Sequence, residues 1–174
     1  DRLVGGADTV LACCYFGAPL GPSWQRFLAM RPTVTIVEDR SQALDPAQAP
    51  IGHWVVYSPR KVLGVPDGGV LVGLEGRTVS PPRGPRGGVR FIEPSLLRFE
   101  DEAETRNARW YAAHRAREAR ETVTNRAMSR ISTAILGATA LEPLAERRRR
   151  NAALLADRLG DVLPPMMPLG ASHR

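Results

Sequence analysis

Between Thr33 and Gly73 the chain carries three short apolar runs, each stopped by charged or turn-forming residues, and this stretch limits the folds open to it. The β-branched run Val34–Val37 ends in Glu38-Asp39 and opens onto a polar loop. Trp54–Tyr57 ends in Ser58-Pro59-Arg60-Lys61, and Val70–Val72 follows the turn Gly64-Val65-Pro66-Asp67-Gly68-Gly69. Short, continuous apolar runs bounded by turn residues predict strands buried on both faces, as in a mostly parallel sheet. Upstream, Thr9–Phe16 is a further run of this kind, closed by Gly17, Pro19 and Gly21. Trp24–Met30, between Ser23 and Pro32, predicts a short helix capped by Ser23. Strand, helix and strand in that order make a βαβ unit with a right-handed crossover. Asp39 and Gln42 then fall at the carboxyl end of a parallel strand, where open α/β sheets bind their ligands.

The second half changes character. Arg77–Val89 is rich in proline, glycine and arginine and has no periodicity, which predicts a loop. From about Ser95 the pattern is helical, with no proline or glycine between Phe99 and Glu121. A second helix is expected over Ser129–Leu141, with Ile131, Ile135 and Ala138 on one face. A third is expected from Pro143 through Leu144, Leu155 and Leu159 to a C-cap at Gly160. Leu163–Pro168 reads as the entrance to a further region. The expected organisation is an α/β unit over 1–121 and the start of a smaller unit over 122–174.

Composition excludes some classes of function. The chain has 174 residues, 43% hydrophobic and 24% charged, which is ordinary for a globular domain. No apolar run approaches the roughly eighteen residues of a membrane-spanning helix. Cys13 and Cys14 are adjacent, so a disulfide between them would be strained; they read as small buried hydrophobes in a reducing cytoplasm. The net charge of +6 invites a nucleic-acid reading, through Arg147–Arg150 and the Pro/Gly/Arg loop. Against it, Ser58 closes a buried strand, the basic elements do not repeat, and no aromatic residues interleave with the arginines.

One position breaks the arginine habit. Lys61 is the only lysine among 24 basic residues. A guanidinium stays protonated, whereas a primary amine can lose its proton and can form a Schiff base. Lys61, the strand-end acid Asp39, and Gln42 three residues beyond it form the candidate site, together with Ser58.

This set resembles the pyridoxal-phosphate site of the fold-type-I aminotransferases and, more narrowly, the DegT/StrS family of sugar aminotransferases. The matching residues are Glu38-Asp39-Arg40-Ser41-Gln42-Ala43, then Ser58 and Lys61, then Asp67-Gly68-Gly69. Downstream, Asn125-Arg126-Ala127-Met128-Ser129 is similar to the family's N-x-R-M-S segment, with the arginine one place early. Ser58 precedes the lysine by three residues, as in other fold-type-I enzymes. The resemblance implies the second half of a pyridoxal-phosphate-dependent transferase large domain, leading into a small domain. It implies that Lys61 carries the cofactor covalently and that Asp39 pairs with the pyridine nitrogen. Gln42 would contact the ring's phenolic oxygen or its face, Ser58 the phosphate, and Asn125 the phosphate of the other subunit's cofactor in a homodimer. The implied reaction moves an amino group from glutamate or glutamine to a nucleotide-linked keto sugar. In the family the phosphate loop and the aromatic residue stacking on the cofactor would precede Asp1, and most of the small domain would follow Arg174. The chain alone is therefore expected to be inactive. The alternatives are a basic nucleic-acid-binding protein and a catalytically dead relative used as a binding protein.

Overall fold

The computed structural model describes residues 8–45, 48–88, 91–101, 108–120 and 125–159. Its architecture is mixed α/β, built on a four-stranded, mostly parallel sheet with strands in sequence order. The strands are β1 (Thr9–Cys13), β2 (Thr35–Arg40), β3 (Trp54–Tyr57) and β4 (Val70–Gly73). β1, β2 and β3 are parallel, and β4 closes the sheet antiparallel to β3. One helix, α1 (Pro22–Met30), joins β1 to β2, completing the expected βαβ unit.

β2 is longer and more polar than its apolar run suggests. It continues through Glu38 and Asp39 to Arg40 and alternates strictly, with Ile36, Glu38 and Arg40 buried and Thr35, Val37 and Asp39 only half-buried. Successive strand residues point to opposite faces, so Glu38 and Arg40 share the inward face with Ile36. Ala12 and Val55 lie on the same face, by register with Glu38. The other face is open: Leu11 is 60% exposed and Leu71 is 47% exposed. The expectation of strands buried on both faces therefore fails. The sheet of the described residues has one packed side.

The inward charges are paired and hydrogen-bonded. Glu38 Oε1 accepts from Arg40 Nε at 2.5 Å, and Oε2 accepts the main-chain N–H groups of Ile51 and Gly52, each at 2.8 Å. Arg40 donates from Nη1 to the Gln48 carbonyl at 2.5 Å and from Nη2 to the Ala49 carbonyl at 3.0 Å. Parallel strands need a long crossover, most often through a helix. Here the described part of the β2–β3 connection contains no helix, and the ion pair binds its returning limb to the back of β2. Gly52 lies so close that a Cβ there would stand 2.7 Å from the Glu38 Cβ.

The helices correct several expectations. α1 starts at Pro22 with Gly21 in the cap position, and no side chain caps it. Proline at the first helical position is pre-set for the helix, so the helix starts one residue before Ser23, which becomes its second residue. The stretch expected as continuous helix from Ser95 contains α2 (Glu93–Glu100) and α3 (Ala108–Glu118), with Asp101 turning to extended backbone after α2. Residues 102–107 of that stretch lie outside the described residues. The Arg98 guanidinium lies 4.8 Å from the centre of the Trp110 ring and ties α2 to α3.

α4 spans Arg130–Ala138, with Ser129 as its N-cap, and α5 spans Leu141–Leu159, with Pro143 inside the first turn. The buried residue on α4 is Ser132 rather than Ile131, which is exposed. The expected C-cap at Gly160 and the Leu163–Pro168 segment lie outside the described residues.

Breaking the inward ion pair from one side strands the remaining charge. Glu38→Gln is expected to cost about 3–5 kcal/mol, read from urea unfolding, because Arg40 would be left buried without its counter-charge. Burial opposes the ionised form of Glu38 and is the largest single influence on it. The hydrogen bonds from Arg40, Gly52 and Ile51, with the charge of Arg40, together outweigh burial and hold the carboxyl below its ordinary value of 4.5. A lowered folded-state value contributes stability that is complete above pH 4.5 and fades as pH falls through the folded value. Thermal melts should therefore drop on acidification below about pH 4.5, less steeply in Glu38→Gln than in the wild type. Parallel acid limbs in the two proteins would contradict this.

Candidate functional site

Four of the five sequence-predicted residues lie at the carboxyl edge of the parallel strands. Asp39 is the penultimate residue of β2 and pairs in register with Val56. Arg40 pairs with Tyr57, so Ser58 emerges from β3 directly beside the exit of β2. A single 3-10 turn, Pro59–Lys61, follows, with Pro59 buried and Lys61 exposed. The Lys61 main-chain N–H closes this turn on the Ser58 carbonyl at 3.1 Å. Asp39, Gln42, Ser58 and Lys61 thus share one sheet edge, on the ends of two neighbouring strands.

Asp39 is held by its own loop. Its Oδ1 accepts the Ser41 main-chain N–H at 2.8 Å and the Ser41 hydroxyl at 2.5 Å, a local turn that orients the carboxylate. Gln42 is held from the neighbouring strand: its Oε1 accepts the Phe16 main-chain N–H at 2.7 Å. Phe16 belongs to a 3-10 turn, Tyr15–Gly17, at the end of β1. Nearby, the Cys14 N–H donates to the Asp39 carbonyl at 2.9 Å. Phe16 has φ 54° and ψ 19°, left-handed backbone that a bulky residue rarely adopts, at a cost of about 1–2 kcal/mol. Tyr15 and Phe16 both expose their rings at this edge.

Asn125 stands on a different segment. It is exposed, and its carbonyl accepts the Gly84 N–H at 2.8 Å, in a short parallel pairing of Gly84 with Arg126. That pairing leads into the Ser129 cap of α4, which meets Asp67 on the loop that also carries Lys61. Asp67 Oδ1 accepts the Ser129 hydroxyl at 2.6 Å and the Ser132 hydroxyl, and Oδ2 accepts the Ser129 N–H at 3.1 Å. This acid, read in the sequence only as part of a glycine-rich turn, fastens α4 to the loop between β3 and β4. Two further groups escaped the sequence reading, the inward pair Glu38–Arg40 and the Phe16 N–H. The first had a signal, since opposite charges two apart in a strand share a face.

Among the described residues, no group of three or more His, Cys, Asp and Glu could hold a metal ion. No helix among them is long and apolar enough to cross a membrane. Compared with protein-family models, curated proteins and solved structures, the chain matches none of them.

The cysteines divide by environment. Cys14 is buried and its Sγ lies 3.6 Å from Glu38 Oε1. Burial first, then the negative charge of Glu38, pushes its thiol up to about 11. Cys13 points to the opposite, open face and is half-buried. With iodoacetamide at pH 8, only about one Cys14 in a thousand would be thiolate. Native protein should therefore alkylate at Cys13 alone, with Cys14 reacting after unfolding, as read by peptide mass mapping. Equal labelling of both in the native state would contradict the packing described.

Proposed function

We propose that the chain belongs to a pyridoxal-phosphate-dependent aminotransferase acting on a keto sugar, with the carboxyl edge of β2 and β3 as its cofactor site. The observation that carries the reading is that Asp39, next to last in β2, and Lys61, on the 3-10 turn that follows β3, lie at the exits of two adjacent parallel strands. A carboxylate and an amine at neighbouring strand exits suit a ring gripped from two sides, and such edges are where open α/β sheets bind ligands.

The residues present fit the group. Both bonds from Ser41 fall on Asp39 Oδ1, so the carboxylate is oriented by its own loop, and Oδ2 would meet a ring N–H. Lys61 extends from a turn whose proline is buried, which anchors its main chain while the side chain reaches outward. Gln42 would bind the phenolic oxygen and Ser58 the phosphate, with Asn125 serving a partner subunit's site. When bound, pyridoxal phosphate supplies an electron sink for charge developing on the carbon that carries the amino group. The work left to the chain is to hold a proton on the ring nitrogen through Asp39 and to carry a proton on the Lys61 amine. Glutamate or glutamine would serve as amino donor, and a nucleotide-linked keto sugar as acceptor.

A second reading has its own observation. Arg83, Arg86, Arg126 and Arg130 are all exposed on the paired segments around Gly84 and the start of α4, a basic surface that would suit a phosphate backbone. The two readings give different signals. Full-length protein mixed with pyridoxal phosphate should develop a lysine-linked absorption band, fixed by borohydride as a mass increment on the Lys61 peptide and lost in Lys61→Ala. Salt-dependent oligonucleotide binding without that band would favour the second reading. Absence of both signals would leave a dead relative serving as a binding protein.

A further inference from the structure

The Tyr15–Gly17 turn has no role in the reading above, yet it carries backbone strain at the edge where the candidate site lies. Its one outward main-chain donor, the Phe16 N–H, goes to the Gln42 side chain rather than to another strand. The turn is held at three further points. Cys14 N–H donates to the Asp39 carbonyl at 2.9 Å, Gly17 N–H to the Cys14 carbonyl at 3.1 Å, and Ala18 N–H to the Tyr15 carbonyl at 3.0 Å. Gly17 has φ +80°, and a Cβ there would lie 2.9 Å from the Gln42 carbonyl oxygen. The turn and the Gln42 loop are therefore packed main chain to main chain, with no room for a side chain between them.

The identity of the donor decides which way the carboxamide faces. A main-chain N–H can only donate, so the Gln42 atom it meets must be the oxygen, and the amide nitrogen is directed elsewhere. The part of Gln42 left for a ligand then consists of two N–H donors. Such a group binds an acceptor oxygen and favours that oxygen in its anionic form.

We propose that the Tyr15–Gly17 turn is a positioning element of the site: the left-handed Phe16 N–H fixes the Gln42 carboxamide by its oxygen, so that Gln42 donates to an anionic ring oxygen of the ligand that Asp39 and Lys61 hold. This rests on the cofactor reading and adds the turn and the sense of the hydrogen bond. Phe16 acts through its main chain, and Gln42 is the group that would touch the ligand. The strain on Phe16 thereby acquires a use, since left-handed backbone aims the N–H away from its own strand.

The substitution Gln42→Glu separates the two halves of the amide. A carboxylate still accepts the Phe16 N–H, and position 42 is exposed, so the variant folds; it offers no donor and adds a negative charge beside the ring oxygen. With full-length protein and pyridoxal phosphate as probe, the Lys61-dependent band of the wild type should titrate with pH. Its midpoint should move up by about one unit in Gln42→Glu, with roughly tenfold weaker binding of the probe. Gly17→Ala, which forces the turn off the Gln42 loop, should move the midpoint in the same direction. A purely structural turn would change the melting temperature and leave the midpoint alone. A Lys61-dependent band that titrates identically in wild type and Gln42→Glu overturns the positioning role and leaves the cofactor reading standing. No band in the wild type overturns both. If Gly17→Ala fails to fold, Gln42→Glu decides by itself.

Discussion

The ion pair between Glu38 and Arg40 is the interaction on which the rest of this structure depends. It sits on the inward face of the strand second in the sheet, where a charge without partners would be prohibitive. The cost is met by partners on both groups: two main-chain N–H donors and a guanidinium on the carboxylate, and two carbonyls on the guanidinium. All four main-chain groups come from the returning limb of the connection between β2 and β3. That limb has neither a helix nor an apolar stripe to press it against the sheet, so polar bonds do what packing does elsewhere. The pair thereby sets where β3 begins. The β3 register in turn brings Ser58 and Lys61 to the exit of β2. The candidate edge is thus positioned by buried charges that flank Asp39 and lie on the opposite face of the same strand.

Much of the fold was legible because short apolar runs and turn residues report strands directly. Trp54–Tyr57 and Val70–Gly73 fall on their apolar runs, and the helix between the first two strands lies between Gly21 and Pro32, but β1 takes only Thr9–Cys13 of the run Thr9–Phe16, whose end folds into the 3-10 turn Tyr15–Gly17. The sequence reading erred where polar residues were taken as boundaries. Glu38 and Arg40 looked like the end of a strand, since charge in a strand ordinarily means solvent. Their spacing by two, with opposite signs, was the available sign that they share an inward face. α4 shows the same effect: the apolar stripe through Ile131 pointed one way, and Ser132 went inward because Asp67 waits there to accept its hydroxyl. In each case a specific hydrogen bond overrode a hydrophobic pattern, and hydrogen bonds between distant residues leave no periodicity to read.

The candidate site was legible to the extent that it consists of side chains. Asp39, Gln42, Ser58 and Lys61 could be singled out by residue type and place, and they share a sheet edge. The Phe16 N–H could not, because every residue but proline carries one and nothing in the letter F marks where it points. The adjacent glycine, Gly17, was read only as a strand terminator, although its conformation is what lets the turn approach Gln42. Asn125 was assigned a ligand by a motif likeness that concerns its side chain; within this chain its main-chain carbonyl pairs with Gly84.

The loop that carries Lys61 is restrained on both sides of that residue. Before it, Pro59 is buried and the strand register is set; after it, Asp67 holds the N-cap serine and Ser132 of α4, while Arg117 donates to the Pro66 carbonyl at 3.0 Å. Hydrogen bonds to an ionised carboxylate contribute roughly 1.5–3 kcal/mol each, enough to keep such a loop from opening independently of the helices. A side chain at Gly87 would push the Asp67 carboxylate out of its present place. What remains free is the lysine side chain itself, exposed on a main chain that is held. That division suits a residue that must tether a ligand and still swing away from it: the anchor determines where the amine starts, and its four-carbon stem determines how far it can travel. An arginine at this position would have similar reach and could not form a Schiff base, so under the proposed reading the single amine has a use that the chain's arginines could not serve.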